Sequence, residues 1–417
     1  MLNTGSDGET NPKATRRDFL KGAAVLGVTA PMLASARRGE GAARARPPLA
    51  FVGTYSSPQG PEGSPGRGEG IYLFEMDPMT GELTQRAVFR NAANPSYLAL
   101  DPSLSHLYSG NETNTFEGEN SGSVSAYSID RSNGHLKLLN TVSSGGAGPA
   151  YLSVHPAGKY VLVANYAGGT VAVIPIGPNG EVGVATCIKH DHGPTGSAHA
   201  SSAPPGSFAI SGHDKPHAHM VHSDPAGRYV ISTDLGMDRI LVWKFDPATG
   251  TISPNDQVSV PPGDGPRHFV FHPNGLWFYS VQEEGSTVAL FDYNPARGTL
   301  KAKQTVSSLP PGFAGTNFPS EIRISSDGRF VYAANRLHDS IAYFSVGDGG
   351  KLKFQGEEWT RGDYPRSFEI DPTGNFLYSC NQRSDAITTF QVNRETGALA
   401  FTGRYTPVGT PAVIVFL

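Results

Sequence analysis

The chain is short of the residues that staple, charge or anchor a protein. Its 417 residues include only two cysteines, Cys187 and Cys380, too few for a disulfide framework. Two separate buried thiols are expected, with a single bridge as the alternative. Charged residues are 17% of the chain, which excludes a self-repelling disordered chain. A basic excess is missing: 33 Lys and Arg against 37 Asp and Glu give a net charge of −4. Nothing therefore favours a nucleic-acid partner. No apolar run is long enough to span about 30 Å of hydrocarbon, so no stable membrane anchor is expected. A calcium-loop spacing is absent. Gly145-Gly146-Ala147-Gly148 precedes a strand pattern rather than a helix, so it is no phosphate loop. No G-x-S-x-G elbow argues for a serine hydrolase.

What the chain has in abundance is turn. There are 50 glycines and 33 prolines, with 10% aromatics. That composition excludes a helical bundle and calls for many short strands joined by tight turns. From residue 94 onward one phrase recurs: a Pro or Gly-Pro entry, an apolar strand, a D-P-x-G-like turn, a second apolar strand, then Asn, Asp or Glu. Copies occupy 94–112, 148–165, 216–234, 265–283, 318–335 and 364–381. A third strand follows, at 124–129, 170–174, 240–245, 287–293, 341–346 and 387–392. A D-x-x-T-G-x-L turn and a weaker fourth strand come next. Four antiparallel strands at a period of roughly fifty residues describe a propeller blade.

Six blades are internal. Residues 410–416 read as an inner strand without partners after it. Residues 49–55 and 70–77 read as outer strands without an inner strand before them. Joining the two ends makes a seventh blade and removes both free edges. The expected fold is an all-β, seven-bladed β-propeller over residues 47–417, its last blade closed by N- and C-terminal strands. Residues 187–212, rich in Ala, Ser, Gly, Pro and His, lengthen one blade connection as an exposed loop.

Residues 1–46 read as an address. Arg16-Arg17-Asp18-Phe19-Leu20-Lys21 heads a mild apolar segment, 23–36, broken by Pro31. It resembles a twin-arginine signal. The twin-arginine translocation machinery is then a partner, and the mature protein is periplasmic or extracellular.

In each blade the start of the first strand and the end of the second lie at one rim of the channel. Strand starts carry His217, His219, Arg267, His268, Glu321 and Arg366. Second-strand ends carry Glu112, Asn165, Asp234, Glu283, Asn335 with Arg336, and Asn381. Arginine without lysine, beside carboxylates and paired histidines, suits a small anionic molecule. His217 and His219 share a face if the strand alternates, with His219 deeper. Seven of the thirteen histidines fall between His190 and His222. They are read as surface histidines rather than zinc ligands, because most sit in a loop too pliant for a tetrahedral site. No metal or cofactor is expected.

Written out this way, the chain from Leu49 to Leu417 resembles the seven-bladed propeller lactonases. That family includes bacterial propeller-type 6-phosphogluconolactonases and fungal 3-carboxy-cis,cis-muconate lactonizing enzymes. The matching phrases include Gly53-Thr54-Tyr55, Val163-Ala164-Asn165-Tyr166, His217-Ala218-His219, Gly265-Pro266-Arg267-His268, Asn335-Arg336 and Pro365-Arg366-Ser367-Phe368. The resemblance implies a metal-free site with a histidine, two arginines and a glutamate, here His219, Arg267, Arg336 and Glu283. The family's N-E-L phrase is Gln282-Glu283-Glu284 in this chain, so two glutamates compete for that place. The implied activity is hydrolysis of a sugar-acid lactone, with Glu283 as general base and His219 as its competitor or the acid. Arg267 and Arg336 would hold the oxyanion. His217, His268, Arg366, Glu112 and Asp234 would bind substrate. A muconate-type lactonizing cycloisomerase and a non-catalytic secreted binding propeller are the alternatives.

Overall fold

Each repeat folds into a four-stranded antiparallel sheet whose inner and outer strands answer to different surroundings. Inner strands are sandwiched between neighbouring sheets, so they read as continuous apolar runs. Tyr160–Asn165 is buried at every position. The outermost strand keeps one wet face, and in Thr251–Ser259 only Ile252 is fully buried. The computed structural model describes residues 47–58, 65–195, 199–209 and 212–417. The expected export signal, residues 1–46, lies outside the described residues.

Seven such sheets form. Blade 1 is the composite: Pro411–Phe416 pairs with Leu49–Thr54, Ala50 opposite Phe416 and Val52 opposite Ile414. The inner strands of blades 2 to 7 are Pro95–Leu100, Pro149–Val154, Ala218–Ser223, Pro266–Phe271, Pro319–Ile324 and Pro365–Ile370. Second-strand tyrosines tie several blades to the next. Tyr108 Oη donates to Gly180 O of blade 3, Tyr279 Oη to Gly350 O of blade 6, and Tyr378 Oη of blade 7 to Gly81 O of blade 1. The last of these spans the closure of the ring. Among the described residues no helix is long and apolar enough to cross a membrane. Cys380 is buried and Cys187 half-buried, and both are free thiols.

Two features depart from the sequence reading. Residues Cys187–His190 are the short outer strand of blade 3 rather than part of the insertion. The insertion follows them. Its backbone is held on the entries to blades 5 and 6: Ser201 N donates to Pro262 O, Ser202 N to Asp264 Oδ1, Phe208 N to Thr316 Oγ1, and Gly315 N to Pro205 O. The second departure decides the site. No inner strand alternates regularly at its start. The pairing register slips there in every blade, leaving Ser96, Ala150, His219, Arg267 with His268, Ser320 with Glu321, Arg366 and Ala412 out of the ladder. A bulge of this kind re-aims a side chain that strict pleating would send elsewhere.

Candidate active site

Two rings of residues build the site. The bulges supply the first. The second consists of the residue just beyond each second strand, held by one repeated backbone bond. The N–H of Tyr55, Glu112, Tyr166, Leu235, Glu283, Arg336 and Gln382 donates to the carbonyl of Thr410, Asn94, Gly148, His217, Gly265, Phe318 and Tyr364 respectively. Each bond holds a second-ring residue beside the bulge of its own blade.

Charge converges where blades 5 and 6 meet. Glu283 Oε2 lies 2.7 Å from Arg267 Nε and 2.7 Å from Arg336 Nη2. Both are close ion pairs across one carboxylate oxygen. All three side chains are buried. Burial alone would raise the Glu283 carboxyl, but Arg336 and Arg267 outweigh it and hold it below the usual carboxylate range. Burial, then the charge of Arg336, pulls the Arg267 guanidinium down to about 10. It is still charged at neutral pH. Arg336 is fixed further: Nε donates to Phe318 O at 3.0 Å and Nη1 to Tyr364 Oη at 3.2 Å.

His219 sits edge-on to both Tyr166 and His268, with centroids 5.4 and 5.0 Å apart. Its Nδ1 is buried with no hydrogen-bond partner among the described residues. Burial first, then the charges of Arg267, Arg366 and Arg336, push it well below the usual histidine range, so the ring is neutral. Arg366 lies over the Tyr55 ring and 3.5 Å from Glu112 Oε2, which also accepts from Tyr55 Oη and Ser96 Oγ. His268 is the second residue of its bulge and turns down the channel. There Nδ1 meets Glu321 Oε1 at 3.0 Å.

His217 and Asp234 stand apart from this group. His217 stacks on Tyr166, and both ring nitrogens are engaged, Nδ1 by Tyr166 O at 2.9 Å and Nε2 by Asp214 Oδ1 at 2.8 Å. The strand begins after it, and the bulge at His219 breaks the alternation that would have put both rings on one face. Asp234 is one residue short of the second ring. Its Oδ1 accepts from the backbone of His217 and Met237, and its carboxyl faces Asp191. A one-residue offset in a strand sends a side chain to the opposite face. Asn165, Asn335 and Asn381 share this offset. Each donates both to the third strand of its own blade and to a carbonyl that follows the outer strand of the preceding one, Ser144, Ser308 and Thr360 respectively. The surface reading of the histidines also needs correction. His217 and His219 are buried, and the His213 side chain is wedged between Asp238 and Glu284, 3% exposed. No group of three or more His, Cys, Asp or Glu among the described residues could hold a metal ion.

Glu284 points away from Glu283. It packs on Gly265, where a Cβ would fall 2.0 Å from Glu284 Oε2 and where φ is +68°. Glycine is required there on both counts. Burial and the charge of Glu283 raise the Glu284 carboxyl well above its usual value. Sequence reasoning missed the layer beneath the site. Arg323 bridges Glu321 Oε1 at 2.6 Å and Glu369 Oε2 at 2.8 Å, and the tilted ring pair Tyr97 and Tyr151 lies close by. An arginine and a glutamate in alternation with apolar residues in Ser320–Ile324 and Pro365–Ile370 were the available signal.

A family model described as "Lactonase, 7-bladed beta-propeller" matches residues 49–416. The chain is 33% identical over 370 residues to the 6-phosphogluconolactonase of Bacillus subtilis (strain 168), covering 88% of this chain and 98% of that protein. It is 32% identical over 321 residues to the 6-phosphogluconolactonase of Formosa agariphila, covering 75% and 84%. Among solved structures it is similar to the Pseudomonas aeruginosa periplasmic gluconolactonase PpgL. That match has 29% identity, a TM-score of 0.77, and coverage of 89% of this chain and 99% of the other.

Proposed function

The chain belongs to the seven-bladed β-propeller lactonase family, and from that premise we propose that it hydrolyses the ring ester of a sugar-acid lactone without a metal ion. The observation that carries this reading is the convergence of Arg267 and Arg336 on one point, each 2.7 Å from the same carboxylate oxygen. Two fixed guanidiniums in a buried site are suited to a carbonyl oxygen that becomes an oxyanion.

The environments of Glu283 and His219 support different roles for the two. A carboxylate stabilised by two cations is a weak base, so Glu283 serves to hold the guanidiniums side by side. His219, neutral and within the field of the same cations, takes the proton of the attacking water. The new C–O bond places negative charge beside the arginines, which offsets their field and raises the basicity of His219 as the proton moves. Collapse breaks the ring C–O bond. The imidazolium returns its proton to the leaving alkoxide, and the product is a hydroxy acid. The paired Arg16 and Arg17, with the likeness to a periplasmic gluconolactonase, support export and a substrate met outside the cytoplasm.

The test is proton release from a panel of aldonolactones with the full chain, with and without chelator. Turnover unaffected by chelator is expected, with Arg267→Gln reducing it about 100-fold. If no lactone is opened above the spontaneous rate, the proposal fails.

A further inference from the structure

Two tyrosines stand in the second ring, Tyr55 in blade 1 and Tyr166 in blade 3. The Tyr55 hydroxyl is spent on Glu112 Oε2 at 2.7 Å. The Tyr166 hydroxyl makes no hydrogen bond among the described residues, and its side chain is half-buried. Burial, then the charges of Glu283 and Glu284, raise this phenol above its usual value, against the pull of Arg336 and Arg267. It therefore keeps its proton and serves as a donor within the field of the site.

The ring is held on several sides. It stacks on His217, with centroids 4.3 Å apart, and lies edge-on to His219 at 5.4 Å. His217 grips the Tyr166 carbonyl through Nδ1 and is itself braced by Asp214 at Nε2. Gly212 and Asp214 belong to the arm of the insertion that runs down to this strand. A Cβ on Gly212 would collide with Tyr166 Oη, and one on Gly236 would collide with the carbonyl of Lys215. Glycine at both places lets the arm lie directly on the phenol.

Around the channel the order is Tyr166, His219, Arg267 with Glu283, then Arg336, from blades 3, 4, 5 and 6. In the proposed reaction the carbonyl oxygen of the lactone belongs to the two arginines, and the water and ring oxygen belong to His219. The polar atoms of a sugar lactone left for a donor on blade 3 are its hydroxyls. We infer that Tyr166 is a further substrate-binding residue, its hydroxyl donating to a ring hydroxyl of the lactone, and that Asp214 positions it through His217. This rests on the lactonase reading and adds a determinant of substrate choice to it. A site built to bond a hydroxyl disfavours a ring ester that lacks one.

The experiment compares kcat/KM for glucono-1,5-lactone and for δ-valerolactone, the same ring ester without hydroxyls, with the full chain. Wild-type protein should prefer the first. In Tyr166→Phe, which keeps the stack on His217, that preference should fall about tenfold, the worth of one hydrogen bond. Asp214 is exposed, so Asp214→Ala spares the core. It should lower the same preference about threefold and add nothing in the Tyr166→Phe background. No preference in wild-type protein, or an unchanged one in Tyr166→Phe, overturns the inference and leaves the lactonase reading standing. No effect of Asp214→Ala, or one additive to that of Tyr166→Phe, overturns the positioning role of Asp214. Opening of neither lactone by wild-type protein overturns the lactonase reading and this inference with it.

Discussion

His268 Nδ1 lies 3.0 Å from Glu321 Oε1, and this contact decides which ring nitrogen carries the proton. Glu321 accepts from Arg323, Ser367 and the Ile322 N–H as well. It therefore acts as an acceptor, and His268 must donate through Nδ1. Nε2 is left as an acceptor facing Arg267 Nη1 at 3.4 Å. Glu321 thus positions Arg267 through a histidine that need not touch substrate.

Glu321→Gln should release that arrangement. Loss of one partner from a buried ion network costs about 3–5 kcal/mol, so Tm should fall sharply. At a temperature where the variant stays folded, kcat should drop about tenfold with KM little changed, because a misdirected Arg267 is felt in the transition state. A lowered Tm with full kcat would make the contact structural alone.

The acid limb of the rate profile should lie well below the ordinary histidine value of 6.5. Burial and three nearby cations hold His219 neutral down to that region. Arg366→Met removes one of those cations, so the limb should move up. The measurement is kcat/KM against pH for both proteins. A limb that stays fixed in the variant clears His219 of the base role.

Asp191 and Asp234 bury their carboxyls against each other. Burial first, then contact with Asp234, pushes the Asp191 carboxyl up to about 9. The folded state therefore binds a proton that the unfolded chain, with an ordinary carboxyl, releases near pH 4. Stability from this group is present at low pH and declines as pH rises from about 4 toward 9. Asp191→Asn keeps the neutral shape without the proton. It should raise Tm at pH 8 and flatten the alkaline decline, while near pH 4 the two proteins should melt together. Thermal melts across that range check this.

Leu104 occupies a left-handed position, φ 56°, in the turn where later blades place Gly158, Gly227, Gly275, Gly328 and Gly374. A side chain in that region costs about 1 kcal/mol. Leu104→Gly should recover part of it and raise Tm by a degree or two, given roughly 2–4 °C per kcal/mol for a domain of this size. A lower Tm would show that Leu104 packing outweighs the strain.

The blades were legible because each strand must bury both faces, and that demand writes itself into the chain. The expected third strand 287–293 is Thr287–Asn294, and the closing strand 410–416 is Pro411–Phe416. The histidines were harder. His217 and His219 look equivalent by spacing, yet one bulge separates a ring bound on both nitrogens from one left unpartnered at Nδ1. Asp234 and Glu112 also look alike at strand ends, and one residue of register divides them. Neither distinction has a composition signal, since bulges arise from pairing between strands. The Glu321–Arg323–Glu369 layer left only a faint signal: Glu321 and Arg323 sit two apart on one inner strand, and Glu369 joins them from the inner strand of the next blade.

The slipped register at the head of every inner strand also bears on how a propeller of this family varies what its channel presents. Each blade presents one or two side chains there that owe nothing to the ladder around them. Five of the seven places hold polar or charged groups, while Ala150 and Ala412 hold only a methyl. Those two keep the same slip of register with the smallest of side chains, so the bulge belongs to the blade and not to the chemistry its residue carries.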